Sequence, residues 1–117
     1  MALLYLTDDL LFSSQITTAA QAASFSLEWT PTLEKFFERL HAAPTRLVIV
    51  DLGMRGVDPA SLVAEIRAAH PSARIVAYGP HVQVEKLERA EQAGCDEVLP
   101  RGALSREIVA VLRRHLG

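Results

Sequence analysis

The sequence predicts an α/β fold built on a five-stranded parallel sheet. Short apolar runs alternate with amphipathic stretches five times along the 117 residues, and such alternation favours parallel strands joined by right-handed crossovers, with helices on both faces. The third apolar run is unbroken from Leu47 to Val50, which is typical of a strand that helices cover on both sides. We therefore expect one doubly wound domain over residues 1–117, with the strand order 2-1-3-4-5.

Five apolar runs supply the expected strands, and turn-forming residues end the last two. Gly79 with Pro80 ends the fourth run and Pro100 stops the fifth, because proline has no N–H to donate to a strand ladder. The expected strands are residues 2–6, 25–29, 46–51, 73–79 and 96–100.

Amphipathic stretches with capping signals supply the expected helices. Thr30, Asp58 and Ser105 are suitable N-caps, and proline follows the first two directly, at the helical position where its missing N–H costs nothing. Gly94 closes the fourth helix, where a left-handed residue is needed. The expected helices are residues 10–24, 30–43, 58–70, 83–94 and 105–116.

Composition and charge describe a folded protein with no general attraction for polyanions. Half of the residues are hydrophobic and the net charge is −2, so we expect no binding to nucleic acid. The apolar runs are far shorter than the ~20 residues that span a bilayer, and the N-terminus lacks the positive charge of a signal peptide. The single cysteine, Cys95, fits a reducing compartment. We expect a cytoplasmic domain that does not bind membranes.

Acidic residues follow the first and third strands, which are neighbours in the expected sheet. Asp8 and Asp9 come after the first strand, and Asp51 ends the third. Ligands of such sheets bind where the strand order reverses, at this carboxyl edge. Converging carboxylates favour a hard divalent cation such as Mg²⁺, to which Gly53 would add its backbone carbonyl. The alternative is that Asp8 or Asp9 caps the first helix and Asp51 caps a turn.

Three stretches together resemble the receiver domain of bacterial two-component response regulators, a flavodoxin-like fold. They read "LTDDLLFSS", "VIVDLGMRGVD" and "AEQAGCDEVLPRG", and the resemblance covers essentially the whole chain. It implies that Asp51 accepts a phosphoryl group, and that Asp9, supported by Asp8, holds Mg²⁺ with Asp51 and the Gly53 carbonyl. It also implies a histidine kinase or another signalling protein as partner, which would contact the face formed by the fourth helix, fifth strand and fifth helix.

The chain departs from the family pattern in the half of the site that responds to phosphorylation. Gly79 stands where the family has Thr or Ser, and Arg101 stands in place of the family lysine. The remaining departures are Arg55 and Gly102 at usual proline positions and Val98 at the usual aromatic position. The resemblance therefore implies an atypical receiver, in which Asp51 is phosphorylated, or a pseudo-receiver that works without phosphate.

Two enzyme or carrier functions are less consistent with the sequence, so we expect no enzyme. A Mg²⁺-dependent phosphohydrolase usually has a second acid two residues beyond its nucleophile, where this chain has Gly53. A flavodoxin-type nucleotide carrier would have a phosphate cradle after the first strand, whereas two aspartates lie there. Nothing follows the fifth helix, so we expect a stand-alone module that acts through another protein, or a fragment of a longer one. Its oligomeric state stays open.

Two smaller expectations concern single side chains. Tyr78 could fill the space left by Gly79 or pack under the fourth helix, and we expect the packing. Lys86, Arg89 and Arg106 are candidate contacts on the partner-binding face.

Overall fold

A computed structural model describes all residues from Met1 to Gly117. Its centre is a parallel five-stranded sheet in the order β2-β1-β3-β4-β5, which confirms the predicted fold class and strand order. The strands are β1 Ala2–Leu6, β2 Glu28–Thr30, β3 Thr45–Asp51, β4 Arg74–Gly79 and β5 Glu97–Pro100. The helices are α1 Leu10–Ala22, α2 Leu33–Ala42, α3 Pro59–Ala69, α4 Val84–Gln92 and α5 Arg101–Leu116. None of these helices combines the length and apolar character that a membrane span requires.

The sheet has a hydrophobic core on each face, and this explains the unbroken apolar run in β3. Leu47 and Ile49 belong to the core under α1 and α5, while Val48 and Val50 belong to the core under α2, α3 and α4. All four side chains are buried, because successive residues of a strand point to opposite faces. Because β3 is packed on both faces, the position of its carboxyl end, where Asp51 lies, is fixed.

The second βα unit differs in its boundaries from the sequence prediction. The strand expected at residues 25–29 is shorter and later, at Glu28–Thr30. Thr30 is a strand residue whose hydroxyl donates to the Tyr5 carbonyl at 2.9 Å, so its prediction as an N-cap is wrong. Thr32 caps α2 instead, accepting a hydrogen bond from the Lys35 N–H at 3.0 Å. Two threonines flank the proline, and only the second has the free hydroxyl that a cap needs.

The last helix begins four residues earlier than predicted. The prediction of Ser105 as its N-cap is wrong, because α5 begins at Arg101, directly after Pro100. Ser105 lies inside the helix and its hydroxyl accepts a hydrogen bond from Gln15 of α1 at 2.9 Å. Glu107 interrupts the helical backbone, with φ −118° and ψ 15°. The early start places Arg101 in the first turn of α5, beside the start of α1.

The other two predicted helix signals are confirmed. Asp58 caps α3 by accepting a hydrogen bond from the Ser61 N–H at 3.1 Å, with Pro59 in the first helical position. Gly94 follows α4 with φ +100°, a left-handed conformation that glycine adopts without strain. Both residues are exposed, and the groups that end the helices are not engaged elsewhere in the fold.

Candidate functional site

Asp51 ends the central strand β3, between the ends of β1 and β4. Its half-buried carboxylate is held in one orientation by two hydrogen bonds. The buried Thr7 hydroxyl donates to Oδ2 at 2.7 Å, and the Gly53 N–H donates to Oδ1 at 2.8 Å. The second bond closes a turn of the Asx type, so the expectation that Asp51 caps a turn is met by the geometry. A carboxylate at the end of a buried strand is stabilised by these two donors.

Thr7 was missed by sequence reasoning, although it joins both ends of the site. Its hydroxyl donates to Asp51 and accepts a hydrogen bond from the Asp9 N–H at 3.1 Å. It directly precedes the acidic pair in the stretch "LTDD", and its polarity at the end of a buried strand was the available signal. A buried hydroxyl needs a hydrogen-bond partner. Asp51, at the end of the neighbouring strand β3, provides it.

Asp9 uses both of its carboxylate oxygens. Oδ1 accepts from the Phe12 N–H at 2.9 Å and caps α1, as one of the two sequence interpretations expected. Oδ2 accepts from the Arg101 guanidinium at 2.6 Å. The Arg101 guanidinium carbon also lies 4.3 Å from the centre of the Phe12 ring. Arg101 is therefore held by an ion pair and a cation–π contact against α1.

The acidic residues offer oxygen ligands, but they do not form a ready-made cage. Asp9 and Asp51 are brought together through Thr7, whereas Asp8 is exposed. No group of three or more His, Cys, Asp or Glu side chains is placed to hold a metal ion. The carboxylates and the Gly53 carbonyl suit the preference of Mg²⁺ for hard oxygen donors. They fit such an ion once Arg101 leaves Asp9, because the guanidinium supplies the positive charge at that carboxylate.

Hydrophobic side chains pack closely against the end of β4, where the family has a residue with a hydroxyl group. Gly79 is buried, and a Cβ added to it would lie 3.3 Å from the Leu52 Cβ and 3.5 Å from the Leu87 Cδ2. The Leu52 side chain is itself buried. The chain therefore not only lacks a Thr or Ser at this position, but has packed the space around a glycine.

Tyr78 points away from α4, so the prediction that it packs under that helix is wrong. Its hydroxyl is 2.7 Å from the Tyr5 hydroxyl, and its ring centre is 5.4 Å from that of Phe12. These contacts belong to the core under α1 and α5. The strand alternation requires this, because Ala77 belongs to the opposite core.

Lys86 of α4 reaches the loop after Asp51 instead of facing solvent. Its ammonium donates to the Leu52 carbonyl at 2.6 Å, and its side chain is half-buried. The Leu52 N–H in turn donates to the Tyr78 carbonyl at 2.7 Å. From the sequence, Lys86 was a candidate partner contact. Its position on an amphipathic helix does not indicate that its side chain turns towards the loop after Asp51. Arg89, one turn later, is exposed.

Comparisons with known proteins agree with the fold. The family model for the response regulator receiver domain matches residues 3–113. The transcriptional regulatory protein QseB of Escherichia coli O157:H7 is 26% identical over 112 residues, which cover 96% of this chain and 51% of QseB. The chain therefore spans about half the length of this curated relative.

Solved structures show the same fold at low sequence identity. The receiver domain of NtrX from Brucella abortus has a TM-score of 0.86 at 18% identity, with 97% of each chain covered. A response regulator from Burkholderia pseudomallei, solved with a phosphorylated aspartic acid, calcium ion and citrate, has a TM-score of 0.81 at 20% identity. The similarity covers 95% of this chain and 65% of that one. Because the family model matches nearly every residue, this chain belongs to the receiver domain family of two-component response regulators, which are signalling modules.

Proposed function

We propose that this receiver domain accepts a phosphoryl group on Asp51 in a two-component phosphorelay. The observation that supports this most directly is the oriented Asp51 carboxylate at the carboxyl edge of the sheet, held by Thr7 and by the Gly53 N–H. In the proposed step an Asp51 oxygen attacks phosphorus and forms an acyl phosphate, while the bond from phosphorus to the donor's leaving group breaks. The leaving group departs with the bonding electron pair. The solved relative from B. pseudomallei carries a phosphorylated aspartic acid.

A divalent cation, Mg²⁺, is part of this proposal. The residues that would hold it are Asp9 and Asp51 through their carboxylates and Gly53 through its carbonyl, with Asp8 in support. When bound, the ion would offset the negative charge of the carboxylates and of the phosphoryl group. Arg101 must release Asp9 for this set to form, since Asp9 Oδ2 accepts from its guanidinium at 2.6 Å.

A phosphorylation-independent pseudo-receiver is the second candidate function. Leu52 and Leu87 occupy the space beside Gly79, and Val98 stands where the family has an aromatic residue. This chain therefore has neither the hydroxyl nor the aromatic side chain through which the family responds to a phosphoryl group. In this alternative the resting shape of the domain is the signal. Hydrolysis of a small phosphorylated substrate is less consistent with the site, because Gly53 offers no second carboxylate.

We propose that either function operates through contact with another protein, a histidine kinase or another signalling protein. The face formed by α4, β5 and α5 presents exposed apolar and basic groups. Val82 in the loop before α4 and Val84 in its first turn are 75% and 54% exposed, and Arg89 and Arg106 are exposed as well. Apolar groups rimmed by charge are typical of interaction surfaces. A cytoplasmic location is part of the same proposal, and the single cysteine is compatible with that compartment.

Intact-mass spectrometry tests phosphorylation directly. We would incubate the protein with Mg²⁺ and either acetyl phosphate or phosphoramidate, alongside Asp51→Asn and the matched control Asp58→Asn. The expected result is a mass increase of one phosphoryl group in the wild type and in Asp58→Asn, and none in Asp51→Asn. No adduct in a folded wild-type protein would contradict the proposal and support the pseudo-receiver.

A further inference from the structure

One peptide unit connects Lys86 of α4 with the carboxylate of Asp51. The peptide between Leu52 and Gly53 accepts a hydrogen bond from the Lys86 ammonium on its carbonyl, at 2.6 Å. Its N–H donates to Asp51 Oδ1 at 2.8 Å. The preceding N–H, that of Leu52, is bonded to the Tyr78 carbonyl, so the plane of this peptide is fixed on both sides.

The charge of Lys86 strengthens the bond on the far side of that peptide. A cation at a carbonyl oxygen draws electron density away from the amide nitrogen and makes its N–H a stronger donor, since hydrogen bonds in a chain polarise one another. A charged donor also forms a stronger bond than a neutral one. The charge of Lys86 therefore strengthens the hydrogen bond from the Gly53 N–H to Asp51, although Lys86 does not contact the carboxylate itself.

We propose that Lys86 is a positioning residue for Asp51 and that it couples the charge at Asp51 to the first turn of α4. The inference rests on the proposed function where it concerns phosphoryl transfer. A phosphoryl group on Asp51 changes the charge of the group that accepts from the Gly53 N–H. Through the polarity of the 52–53 peptide, this changes the strength of the hydrogen bond between the Leu52 carbonyl and Lys86. Helix α4 borders the proposed partner face, so this route leads from the site to the surface.

Two other residues near the site, the cation Arg101 and the glycine at the family's hydroxyl position, Gly79, cannot take this role. Arg101 is bound to Asp9 and stacked on Phe12, and Gly79 has no side chain that reaches Asp51. Lys86 is thus the cation that is hydrogen-bonded to the Asp51 loop from an element of the proposed partner face. Its half-buried position, in contrast to exposed Arg89, is consistent with a fixed contact.

Nuclear magnetic resonance on the unphosphorylated full chain tests the positioning role. In Lys86→Met, the Gly53 amide proton resonance should move upfield, because its hydrogen bond to Asp51 weakens. Lys86→Arg should restore most of the wild-type position, and Lys35→Met, the same change at an exposed lysine of α2, should leave it unchanged. An unchanged Gly53 resonance in Lys86→Met, or an equal shift in Lys35→Met, would overturn the inference.

The coupling is tested by removing the charge of Asp51 in two backgrounds. Asp51→Asn should shift the amide resonances of α4 residues 84–87 in the wild type and in Lys35→Met, but not in Lys86→Met. Equal α4 shifts in the Lys86→Met background would overturn the coupling, because linkage between two groups must disappear when one of them is removed.

Phosphorylation with acetyl phosphate separates this inference from the proposed function. The adduct should form roughly tenfold more slowly in Lys86→Met, equivalent to about 1.4 kcal/mol, and at the wild-type rate in Lys35→Met. An unchanged rate in Lys86→Met would overturn the role in phosphoryl transfer. If the wild type forms no adduct while the resonance shifts occur as expected, the proposed function fails and the positioning role stands.

Discussion

At the scale of single residues, the site depends on hydrogen bonds that each carboxylate has already made. Asp51 accepts from Thr7 and Gly53, and Asp9 accepts from Phe12 and Arg101. Any ligand must therefore compete with groups of the chain itself. Two of these groups, the Thr7 hydroxyl and the Arg101 guanidinium, can be removed separately. We expect loss of the first to lower the free energy of unfolding, and loss of the second to raise the affinity for Mg²⁺.

Replacing Thr7 with valine should destabilise the protein. The variant keeps the shape of the buried side chain but leaves Asp51 Oδ2 without its donor, and loss of a buried partner of a charged group costs about 1–3 kcal/mol. Urea denaturation measures the change in the free energy of unfolding. Thr7→Ser retains the hydroxyl and should lose less stability, and a Thr7→Val protein as stable as the wild type would show that this bond contributes little.

Replacing Arg101 with alanine should strengthen Mg²⁺ binding. The guanidinium competes for Asp9, and because the ion pair is about half exposed, its removal is expected to be worth about 1 kcal/mol, or roughly fivefold in affinity. Isothermal titration with Mg²⁺ measures this directly. Arg106→Ala, on the same helix but without a bond to Asp9, should bind Mg²⁺ like the wild type. Weaker binding in Arg101→Ala would mean that the guanidinium assists the metal.

At the scale of elements, the edge strand β5 is held to α5 and β4 by a charged cluster. Glu97 accepts hydrogen bonds from Arg114 at 2.6 Å and from the nearly buried His115 at 2.7 Å. Arg74 of β4 donates to the other ring nitrogen of His115 at 3.2 Å, so both ring nitrogens have a partner. These bonds attach the end of α5 to the beginnings of two strands.

Glu97→Gln should lower stability at neutral pH by about 1–2 kcal/mol. Burial raises the pKa of Glu97, but the bonds and charges of Arg114 and His115 outweigh this and hold the pKa below its ordinary value of 4.5. Because the folded-state pKa is depressed, the stabilisation is present above pH 4.5 and is lost as the pH falls through the folded-state value.

The difference between Glu97→Gln and the wild type should therefore shrink as the solution is acidified below pH 4.5. Urea denaturation at several pH values measures it, with Glu88→Gln on the exposed side of α4 as the control. A difference that stays constant with pH would contradict the role of the Glu97 charge.

The packing between the end of β4 and the β3–α3 loop explains why a hydroxyl cannot simply be restored. Gly79→Thr should lower the free energy of unfolding by about 1–3 kcal/mol, since its Cβ would crowd Leu52. The added loss should be smaller in a Leu52→Gly background, because that change removes the Leu52 Cβ against which the new Cβ would lie. Urea denaturation of the four proteins gives both values, and equal losses in the two backgrounds would contradict the crowding argument.

At the scale of the whole molecule, the alternation of apolar and amphipathic stretches was sufficient to predict the sheet and its strand order. The spacing of apolar residues reflects which positions are buried. In this fold, those positions are set by the sheet and by the helices that cover its two faces. The start of α5 was not predictable in the same way, because Ser105 is a good cap by its chemistry but has a partner, Gln15, from another helix. The direction of Lys86 and the capture of Asp9 by Arg101 were also hidden, since both are contacts between residues distant in sequence.

The buried Tyr5–Tyr78 hydroxyl pair has a consequence for optical spectroscopy. The chain contains two tyrosines, both are buried, and burial raises the pKa of each well above its ordinary value of 10.0. The folded state keeps both phenols protonated, so stability falls as the pH rises above 10.0. In an alkaline titration, tyrosinate absorbance should appear only together with loss of the far-ultraviolet circular dichroism of the fold.

Tyrosinate formed while the circular dichroism is intact would show that the pair opens to solvent in the native state. If the two signals change together, the chain carries its own unfolding indicator, without any added dye. The two rings come from β1 and β4, on either side of β3. The same absorbance would then record the integrity of the three strands whose ends form the proposed phosphorylation site, and a site variant could be checked for folding before its chemistry is measured.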